Sequence, residues 1–213
     1  MRRPFTRQDR GFSLVELMIV VAIIAVLAAV AVPNFLKFQA RSKQAEAKSN
    51  LRAWFTAQRS YLQEKGSYAE AIGAVGFAPE RGNRYAYYFS TTQTCQARKS
   101  DGSVTTPEGA NCITVDEGKH KVVTATPAPL VVSLSWSAGG GGNPATPGVS
   151  GPCPGCNIDA LAVGEIDNEK GGLDTWHIAT KDAKLSTPPC GNDEIFIVTG
   201  VPFNTFNDVD CDK

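Results

Sequence analysis

Residues 11–35 read GFSLVELMIVVAIIAVLAAVAVPNF, and this stretch decides how the chain is organised. It carries one charge, Glu16, and residues 17–32 are sixteen consecutive apolar residues. As one helix over residues 12–35 it would be about 36 Å long, enough to cross the roughly 30 Å hydrocarbon core of a membrane. The arginines before it predict a cytoplasmic N-terminus and an exported remainder, because basic residues stay on the cytoplasmic side.

The charge balance of the chain separates a basic leader from the rest. The 213 residues include 21 basic and 21 acidic side chains. Residues 1–11 carry four arginines and one aspartate, a charge of +3, which leaves 17 basic and 20 acidic residues, a charge of −3, in residues 12–213. This composition excludes a disordered chain, a membrane protein with many spans and a basic nucleic-acid packaging protein.

Three ordinary interpretations of the apolar stretch compete. A secretory signal would use Ala29-Val30-Ala31 as its cleavage site, which leaves the entry carboxylate unexplained. A lipoprotein signal needs a cysteine directly after the apolar run, and the nearest is Cys95. A plain membrane anchor would expose Glu16 to lipid, at a cost of about 2.5–3.5 kcal/mol at the helix centre and less near the interface.

The heptapeptide GFSLVEL at residues 11–17, followed by Pro33-Asn34-Phe35, resembles the class III signal of type IV pilins. The resemblance implies that a prepilin peptidase cleaves after Gly11 and methylates the new N-terminus at Phe12. It also implies that the helix continues through Pro33, where a kink is expected because proline removes one backbone donor.

Glu16 and Phe12 form the expected assembly pair. A buried carboxylate is tolerated when a cation compensates it, so Glu16 of one subunit would meet the methylated Phe12 amine of its neighbour and set the register between subunits. The alternative is that Glu16 only favours the helix N-terminal dipole, which is worth about 0.3–1 kcal/mol.

Helical periodicity continues beyond the apolar stretch. Positions with i, i+4, i+7, i+8 spacing form an amphipathic stripe, which predicts a helix from Phe12 to Glu64 of about 80 Å. Gly66 is the expected stop. The stripe consists of Ala47, Leu51, Trp54, Phe55, Gln58, Tyr61 and Leu62.

The rest of the chain predicts short strands separated by turns. The fold class is therefore α+β, a long N-terminal helix packed on a four-stranded antiparallel β-sheet with disulfide-closed loops. Residues 137–155, with four consecutive glycines and four prolines, are predicted to be a flexible surface loop. The predicted strands are Tyr85–Phe89, Val131–Trp136, Thr175–Ala179 and Ile195–Thr199, with Ile158–Val163 a weaker candidate.

Six cysteines in an exported domain predict disulfides. Sequence leaves the pairing open, and proximity along the chain suggests Cys95–Cys112, Cys153–Cys156 and Cys190–Cys211. The last pair would close a 22-residue loop and stabilise the head by roughly 3 kcal/mol.

Two segments extend the resemblance to most of the chain. Residues 77–85 and 153–178 are similar to the heads of the large major pilins of delta-proteobacteria. The segment that a Cys190–Cys211 disulfide would close resembles the D-region of type IVa pilins, a disulfide-bounded region that secretion pseudopilins usually lack. The implied organisation is a cytoplasmic leader (1–11), a transmembrane and polymerisation helix (12–35), an amphipathic helix (36–65) and a globular β head (66–213).

Redox and metal chemistry are the less favoured interpretations of the cysteines. Cys153-x-x-Cys156 has the spacing of a redox pair, but it is preceded by Gly and Pro residues rather than placed at a helix N-terminus. Zinc would need a second close pair, and Cys190 and Cys211 are too far apart to form one.

The other candidate ligands are also expected to be structural. Two histidines cannot make a histidine-rich metal site, and neither His120 nor His177 has a nucleophile at a useful spacing. An acidic cluster lacks the calcium-loop pattern and is predicted to be a solvated turn. We therefore expect no catalytic residue, no resident metal and no cofactor. The cluster consists of Asp167, Asn168, Glu169 and Asp174.

The resemblance implies the major structural subunit of a retractile type IV pilus that serves surface motility and adhesion. Its expected partners are other copies of itself, the prepilin peptidase, assembly ATPases, a platform protein and a secretin, with surface or polysaccharide contacts. The precursor would lie in the inner membrane with its head in the periplasm, and the mature protein in an extracellular filament.

Alternatives to that function are a minor pilin, a type II secretion pseudopilin, or a subunit serving mainly DNA uptake. A DNA-uptake receptor needs a basic stripe on its exposed head, and the charge of −3 after residue 11 gives that interpretation little support.

Overall fold

The computed structural model describes residues 11–120, 124–129, 132–136, 146–166 and 172–211. The chain divides after Gln39 into two compact units, each described by itself below. Helix α1 (Leu14–Lys65) supplies the described helical part of the N-terminal unit. From Ala40 onward it belongs to the second unit, which we call the head unit.

Helix α1 begins two residues later than the sequence predicts, and a capping box explains the difference. The Glu16 backbone N–H donates to the Ser13 hydroxyl over 3.4 Å, and the Ser13 N–H donates to the Glu16 carboxylate over 2.9 Å. Ser13 is therefore the N-cap, and Phe12 lies outside the helix. Within the described residues, α1 is the one helix long and apolar enough to span a membrane.

Pro33 lies inside α1 without ending it. Near it, the Asn34 side-chain amide donates to the Val30 carbonyl over 3.1 Å. The helix ends at Lys65, where Gly66 has a left-handed φ of 74° and donates to the Leu62 carbonyl over 2.8 Å. The predicted stop is confirmed, because a left-handed residue after the last turn is where glycine avoids steric strain.

The predicted stripe on α1 is confirmed in its centre and extends towards the N-terminus. Ala47, Leu51, Trp54 and Gln58 are buried, whereas Phe55, Tyr61 and Leu62 are only half-buried. The buried face starts earlier than predicted, at Ala40 and Gln44. These positions alternate by four and three residues, which keeps one face of a helix against the sheet.

The remaining elements are one short helix and eleven strands within the described residues. They are α2 (Ile72–Val75), β1 (Ala86–Tyr88), β2 (Cys95–Arg98), β3 (Val104–Thr105), β4 (Cys112–Ile113), β5 (Leu134–Trp136), β6 (Gly148–Ser150), β7 (Asn157–Gly164), β8 (Asp174–Ala179), β9 (Ala183–Leu185), β10 (Phe196–Ile197) and β11 (Phe203–Phe206).

The described strands form two sheets rather than one sheet of four strands. The main sheet has eight strands in the order β11-β8-β7-β1-β4-β2-β3, with β6 also paired to β7. Its pairs are antiparallel except β2 with β4, which is parallel. The second sheet has the order β10-β9-β5. The α+β class is confirmed, and the strand number was underestimated.

The predicted strands divide between these sheets. Those at 85–89, 158–163 and 175–179 correspond to β1, β7 and β8, which are neighbours in the main sheet. Those at 131–136 and 195–199 correspond to the shorter β5 and β10, which lie in the second sheet. The weakest candidate corresponds to β7, the longest of the described strands. Its signal in the sequence is weak because all eight of its residues are buried, so it lacks the regular polar alternation of a half-exposed strand.

The loop predicted over residues 137–155 is partly wrong. Residues 137–145 lie outside the described residues, but Gly148–Ser150 form β6, which pairs with the start of β7. The prediction missed this strand because its pairing, and not its glycine-rich sequence, defines it.

The core of the head unit lies between α1 and the main sheet. Trp54 of α1 stacks on Phe89 with ring centroids 5.3 Å apart, and Phe77 meets Phe89 edge-on at 5.4 Å. Ile158 and Ile178 are fully buried in the same cluster. Burying aromatic and branched side chains contributes about 1.5–3 kcal/mol each, so this layer is the main source of head stability.

Candidate assembly site

The N-terminal motif is accessible on the isolated chain. The Phe12 side chain is 84% exposed, and a Cβ atom added at Gly11 would meet no other atom within 4 Å. The fold therefore places no steric demand for glycine at position 11. A requirement for glycine there has to come from a partner that acts on the chain.

The following helical surface is apolar and uncovered. Seventeen large apolar side chains between Phe12 and Phe38 are exposed. Soluble monomers rarely expose a continuous apolar surface of this extent, so it marks a membrane or protein interaction site. The only charge on it before Lys37 is Glu16, whose carboxylate accepts the Ser13 N–H.

Glu46 attaches α1 to the start of β1. Its carboxylate accepts the Arg84 N–H over 2.9 Å, the Tyr85 N–H over 3.5 Å and the Tyr87 hydroxyl over 3.2 Å. Burial raises the pKa of Glu46, and these hydrogen bonds lower it in part. The side chain thus satisfies backbone donors of the loop that precedes the sheet.

Asp174 is a second and deeper attachment point. Its fully buried carboxylate accepts four hydrogen bonds from α1, the β1 region, β8 and β11. Burial raises the pKa of Asp174, opposed by those hydrogen bonds. The donors are Gln44 Nε2 at 2.9 Å, the Tyr85 hydroxyl at 2.6 Å, Trp176 Nε1 at 2.5 Å and Asn204 Nδ2 at 3.1 Å.

This geometry corrects the sequence interpretation of the acidic cluster. Asp174 is not part of a solvated turn, because it is the first residue of β8 and has no exposed surface. The other three members, at positions 167–169, lie outside the described residues. Among the described residues, no group of three or more His, Cys, Asp or Glu side chains is placed to hold a metal ion.

The three disulfides join the pairs that proximity along the chain suggested. Cys95–Cys112 links β2 to its parallel neighbour β4, with Cα atoms 4.4 Å apart. Cys153–Cys156 closes a short exposed turn before β7. Cys190–Cys211 closes the C-terminal segment, with Cα atoms 5.4 Å apart.

The segment closed by Cys190 and Cys211 contacts α1 through polar side chains. Arg41 Nη2 lies 3.1 Å from Asp210 Oδ1, and Gln44 Nε2 donates to Asn207 Oδ1 over 2.9 Å. Neither contact is predicted by the sequence pattern. The signal for Gln44 was present, since it stands three residues before Ala47 on the buried face of the helix.

Both histidines have structural surroundings. His177 is buried in β8, with Nε2 4.0 Å from Asp159 Oδ1. Burial lowers the pKa of His177 to about 4 and raises the pKa of Asp159 to about 7. His120 Nε2 lies 2.8 Å from the Gly82 carbonyl oxygen. Among the described residues, no hydroxyl or thiol is hydrogen-bonded to either histidine.

A second buried polar cluster also escaped the sequence analysis. Asp116 accepts Arg81 Nε over 2.6 Å and the Gly82 N–H over 2.9 Å. The Arg81 guanidinium holds the pKa of Asp116 well below its ordinary value. The nearby Arg98 donates to the carbonyls of Pro79 and Glu80 over 2.8 and 2.7 Å. These side chains close the loop before β1 against the loop after β4.

Comparison with known proteins gives matches to both the N-terminal segment and the head of the chain. The family model described as type IV pilin PilA matches residues 38–173, and that of the prokaryotic N-terminal methylation motif matches residues 6–32. The chain is 44% identical over 217 residues to the type IV major pilin protein PilA of Myxococcus xanthus (strain DK1622), covering 98% of this chain and 96% of that protein.

Matches over shorter lengths come from other bacteria. A fimbrial protein of Pseudomonas aeruginosa is 45% identical over 58 residues, which cover 27% of this chain and 38% of that protein. The type IV wide pilus major component PilA4 of Thermus thermophilus is 40% identical over 69 residues, covering 32% of this chain and 53% of that protein. The nearly full-length match is to a major pilin, and the uncovered apolar helix and the α+β head are consistent with that match. The chain therefore belongs to the type IV pilin PilA family.

Proposed function

We propose that this chain is the major structural subunit of a type IV pilus and polymerises through its N-terminal helix. The observation that supports this is the uncovered apolar surface of residues 12–38 in front of a folded head. In the precursor, lipid covers that surface. In the filament, the same helices of neighbouring subunits cover it, so extraction from the membrane and polymerisation exchange one apolar environment for another.

Processing comes before assembly. The prepilin peptidase removes the leader, residues 1–11, by cleaving after Gly11 and methylates the Phe12 amine. The exposure of both residues supports this, since the peptidase has to reach the bond between them. Residues 12–35 then anchor the protein in the inner membrane, with the N-terminus cytoplasmic and the head periplasmic, until the subunit enters the extracellular filament.

Within the filament, Glu16 pairs with the methylated amine of a neighbouring Phe12. In the single chain the Glu16 carboxylate caps its own helix by accepting the Ser13 N–H. A carboxylate has about four lone-pair positions, so the cap leaves it able to accept a further donor. The neighbour's amine supplies the compensating cation that a carboxylate needs inside an apolar core.

Residues 36–65 of the helix carry the globular head of residues 66–213, which includes the D-region at residues 190–211. Assembly ATPases act with a platform protein to extend and retract the filament through an outer-membrane secretin. The filament serves motility and adhesion through surface or polysaccharide contacts. A minor pilin or secretion pseudopilin is less favoured, because the nearly full-length match is to a major pilin.

The test is the composition of sheared surface filaments. The chain should be the dominant protein, Edman sequencing should return N-methylated phenylalanine corresponding to Phe12, and a deletion strain should lose both filaments and twitching. A filament in which this chain is only a trace component would contradict the major-subunit assignment. Any other N-terminal residue would contradict the cleavage site.

A further inference from the structure

The three disulfides of the head unit differ in how far solvent reaches them. All six cysteines lie among the described residues, and Cys153 is the one that is exposed. A thiolate that breaks a disulfide has to reach one of its two sulfur atoms, so exposure decides which disulfide can react in the folded protein. Of the other five cysteines two are half-buried, Cys95 and Cys190, and three are buried, Cys112, Cys156 and Cys211.

Two of the disulfides join segments that the fold already holds together. Cys95 and Cys112 stand opposite each other in the register of β2 and β4. At the C-terminal segment, the Asn207 N–H donates to the Cys190 carbonyl over 3.1 Å, and Asn207 Nδ2 donates to Asp210 Oδ2 over 2.8 Å. Backbone pairing and these hydrogen bonds would keep the sulfur atoms of each pair close after reduction, which favours closure of the bond again.

The third disulfide, Cys153–Cys156, closes the turn between β6 and β7. The ladder of these strands ends at the pair of Ser150 and Asn157, so the turn lies beyond it. Residues 151–155 are exposed, and among the described residues no hydrogen bond outside that ladder involves them. The S–S bond itself therefore closes the turn. Exposed disulfides are more easily reduced than disulfides that are built into the fold.

The strands on either side of this turn are held by other contacts. Asn157 Oδ1 accepts the Thr180 N–H over 3.0 Å and the Thr180 hydroxyl over 2.9 Å, and the Glu70 carboxylate accepts the Val149 N–H over 2.8 Å. Cys156 is 4% exposed and belongs to the main core cluster, where a free thiol packs as a small apolar side chain. Opening the disulfide therefore leaves β6 and β7 in place.

We propose that Cys153–Cys156 is a thiol-exchange site, at which small thiol compounds react reversibly with the Cys153 sulfur. The incoming thiolate forms a bond to Cys153 Sγ, the bond between the two cysteines breaks, and Cys156 leaves as a thiolate that takes a proton from water. One thiol is consumed and one is released, so the exchange needs no other oxidant or reductant. The Cys156 thiol then attacks the mixed disulfide and restores the turn. This chemistry concerns the head alone and does not depend on the proposed filament function.

The test is a redox titration of detergent-solubilised mature pilin in glutathione buffers. Free thiols are trapped by acid and alkylation, and peptide mass spectrometry measures the reduced fraction of each cysteine. We expect Cys153 and Cys156 to be half reduced at a ratio [GSH]²/[GSSG] about tenfold lower than either of the other pairs requires. Tryptophan fluorescence should be unchanged at that ratio. Earlier opening of another pair would overturn the proposal, as would opening of all three pairs together as the head unfolds.

Two matched variants identify the sulfur that is attacked. Cys156→Ser leaves Cys153 as an exposed thiol, which should accumulate as a mixed disulfide when oxidised glutathione is added. Cys153→Ser leaves the buried Cys156 thiol, which should react at least about tenfold more slowly. Equal rates, or faster reaction of Cys156, would overturn the assignment of Cys153 as the site of attack. If either variant does not fold, the titration of the wild-type protein decides.

Discussion

Replacing Asp174 with asparagine tests whether one buried carboxylate holds α1, the sheet and the C-terminal segment together. Its Oδ1 accepts Gln44 and Asn204, and its Oδ2 accepts the Tyr85 hydroxyl and Trp176 Nε1. Asparagine has nearly the same shape but only one acceptor oxygen. In either orientation of the amide, its NH₂ group faces donors that previously met an oxygen.

The expected loss follows from what those donors can do instead. If the amide nitrogen faces Tyr85 and Trp176, the hydroxyl can turn to accept, but the indole N–H is left without a partner. If it faces Gln44 and Asn204, both of these amide donors lose their acceptor, and each side chain has to flip or give up its bond. A buried donor without a partner costs about 1–3 kcal/mol. We therefore expect Asp174→Asn to lower the free energy of unfolding by about 1–3 kcal/mol at pH 7.

The assay is urea unfolding of detergent-solubilised mature pilin followed by tryptophan fluorescence, since Trp54 and Trp176 are both buried. Asp101→Asn is the matched control, because Asp101 is an exposed carboxylate of the hairpin and its loss should change stability by less than about 0.5 kcal/mol. If Asp174→Asn stays within that same margin, the four hydrogen bonds do not stabilise the head and the reasoning is refuted.

Four further changes test the remaining assignments. Gly11→Arg should leave uncleaved precursor in the inner membrane with no filaments, and a normally sized mature band on an immunoblot would contradict the cleavage site. Glu16→Ala should leave cleaved pilin in the membrane but remove it from the sheared fraction, because breaking one side of a buried ion pair costs about 3–5 kcal/mol; wild-type amounts of sheared pilin would defeat the pairing. Replacing both Cys190 and Cys211 with serine should lower the free energy of unfolding by about 3 kcal/mol; a peptide map that finds either thiol free in the native protein would rule the pair out. Asp159→Asn tests the buried carboxyl whose pKa is raised from 3.8 to about 7: because the folded pKa lies above the unfolded one, the stability that this group gives the wild type is full below pH 3.8 and is lost as the pH rises to about 7. The variant should therefore become more stable relative to the wild type over that range, and a difference in unfolding midpoint that does not change with pH would refute the shift.

The sequence predicted the elements whose patterns are long and local. The apolar stretch, the stripe on α1 and the glycine stop after Lys65 all appear in the structure. Strands β1, β7 and β8 were also found, because runs of apolar and aromatic residues mark them. What these elements share is that burial along one continuous segment is visible in the order of its residues.

The missed strands are short and depend on their partners. β3 and β4 have two residues each, β6 and β9 have three, and β2 and β11 have four. A strand of this length has almost no periodicity of its own, and only the pairing with a neighbour distinguishes it from a loop. The centre of the main sheet is therefore predictable from the sequence, whereas its full extent is not.

The buried polar residues escaped for a different reason. Asp174 in a sequence next to acidic and glycine residues is typical of a solvated turn, yet four donors from distant parts of the chain meet it. A charged side chain is buried only where its partners are also brought together. That condition depends on the completed fold, so the sequence around Asp174 does not predict its burial.

The single chain accounts for the free-energy cost of Glu16 in the membrane, but not for a role of Glu16 in the filament. A carboxylate in an apolar span costs about 2.5–3.5 kcal/mol at the membrane centre and less near the interface. The cap on Ser13 recovers about 1 kcal/mol, and the helix dipole adds about 0.3–1 kcal/mol. These terms nearly cancel for a residue in the first turn, so Glu16 neither drives nor prevents insertion of the precursor. Glu16 can therefore stabilise the assembled state only where the interfacial water is lost, which is inside the filament. There we expect its carboxylate to meet the methylated amine cation of a neighbouring Phe12.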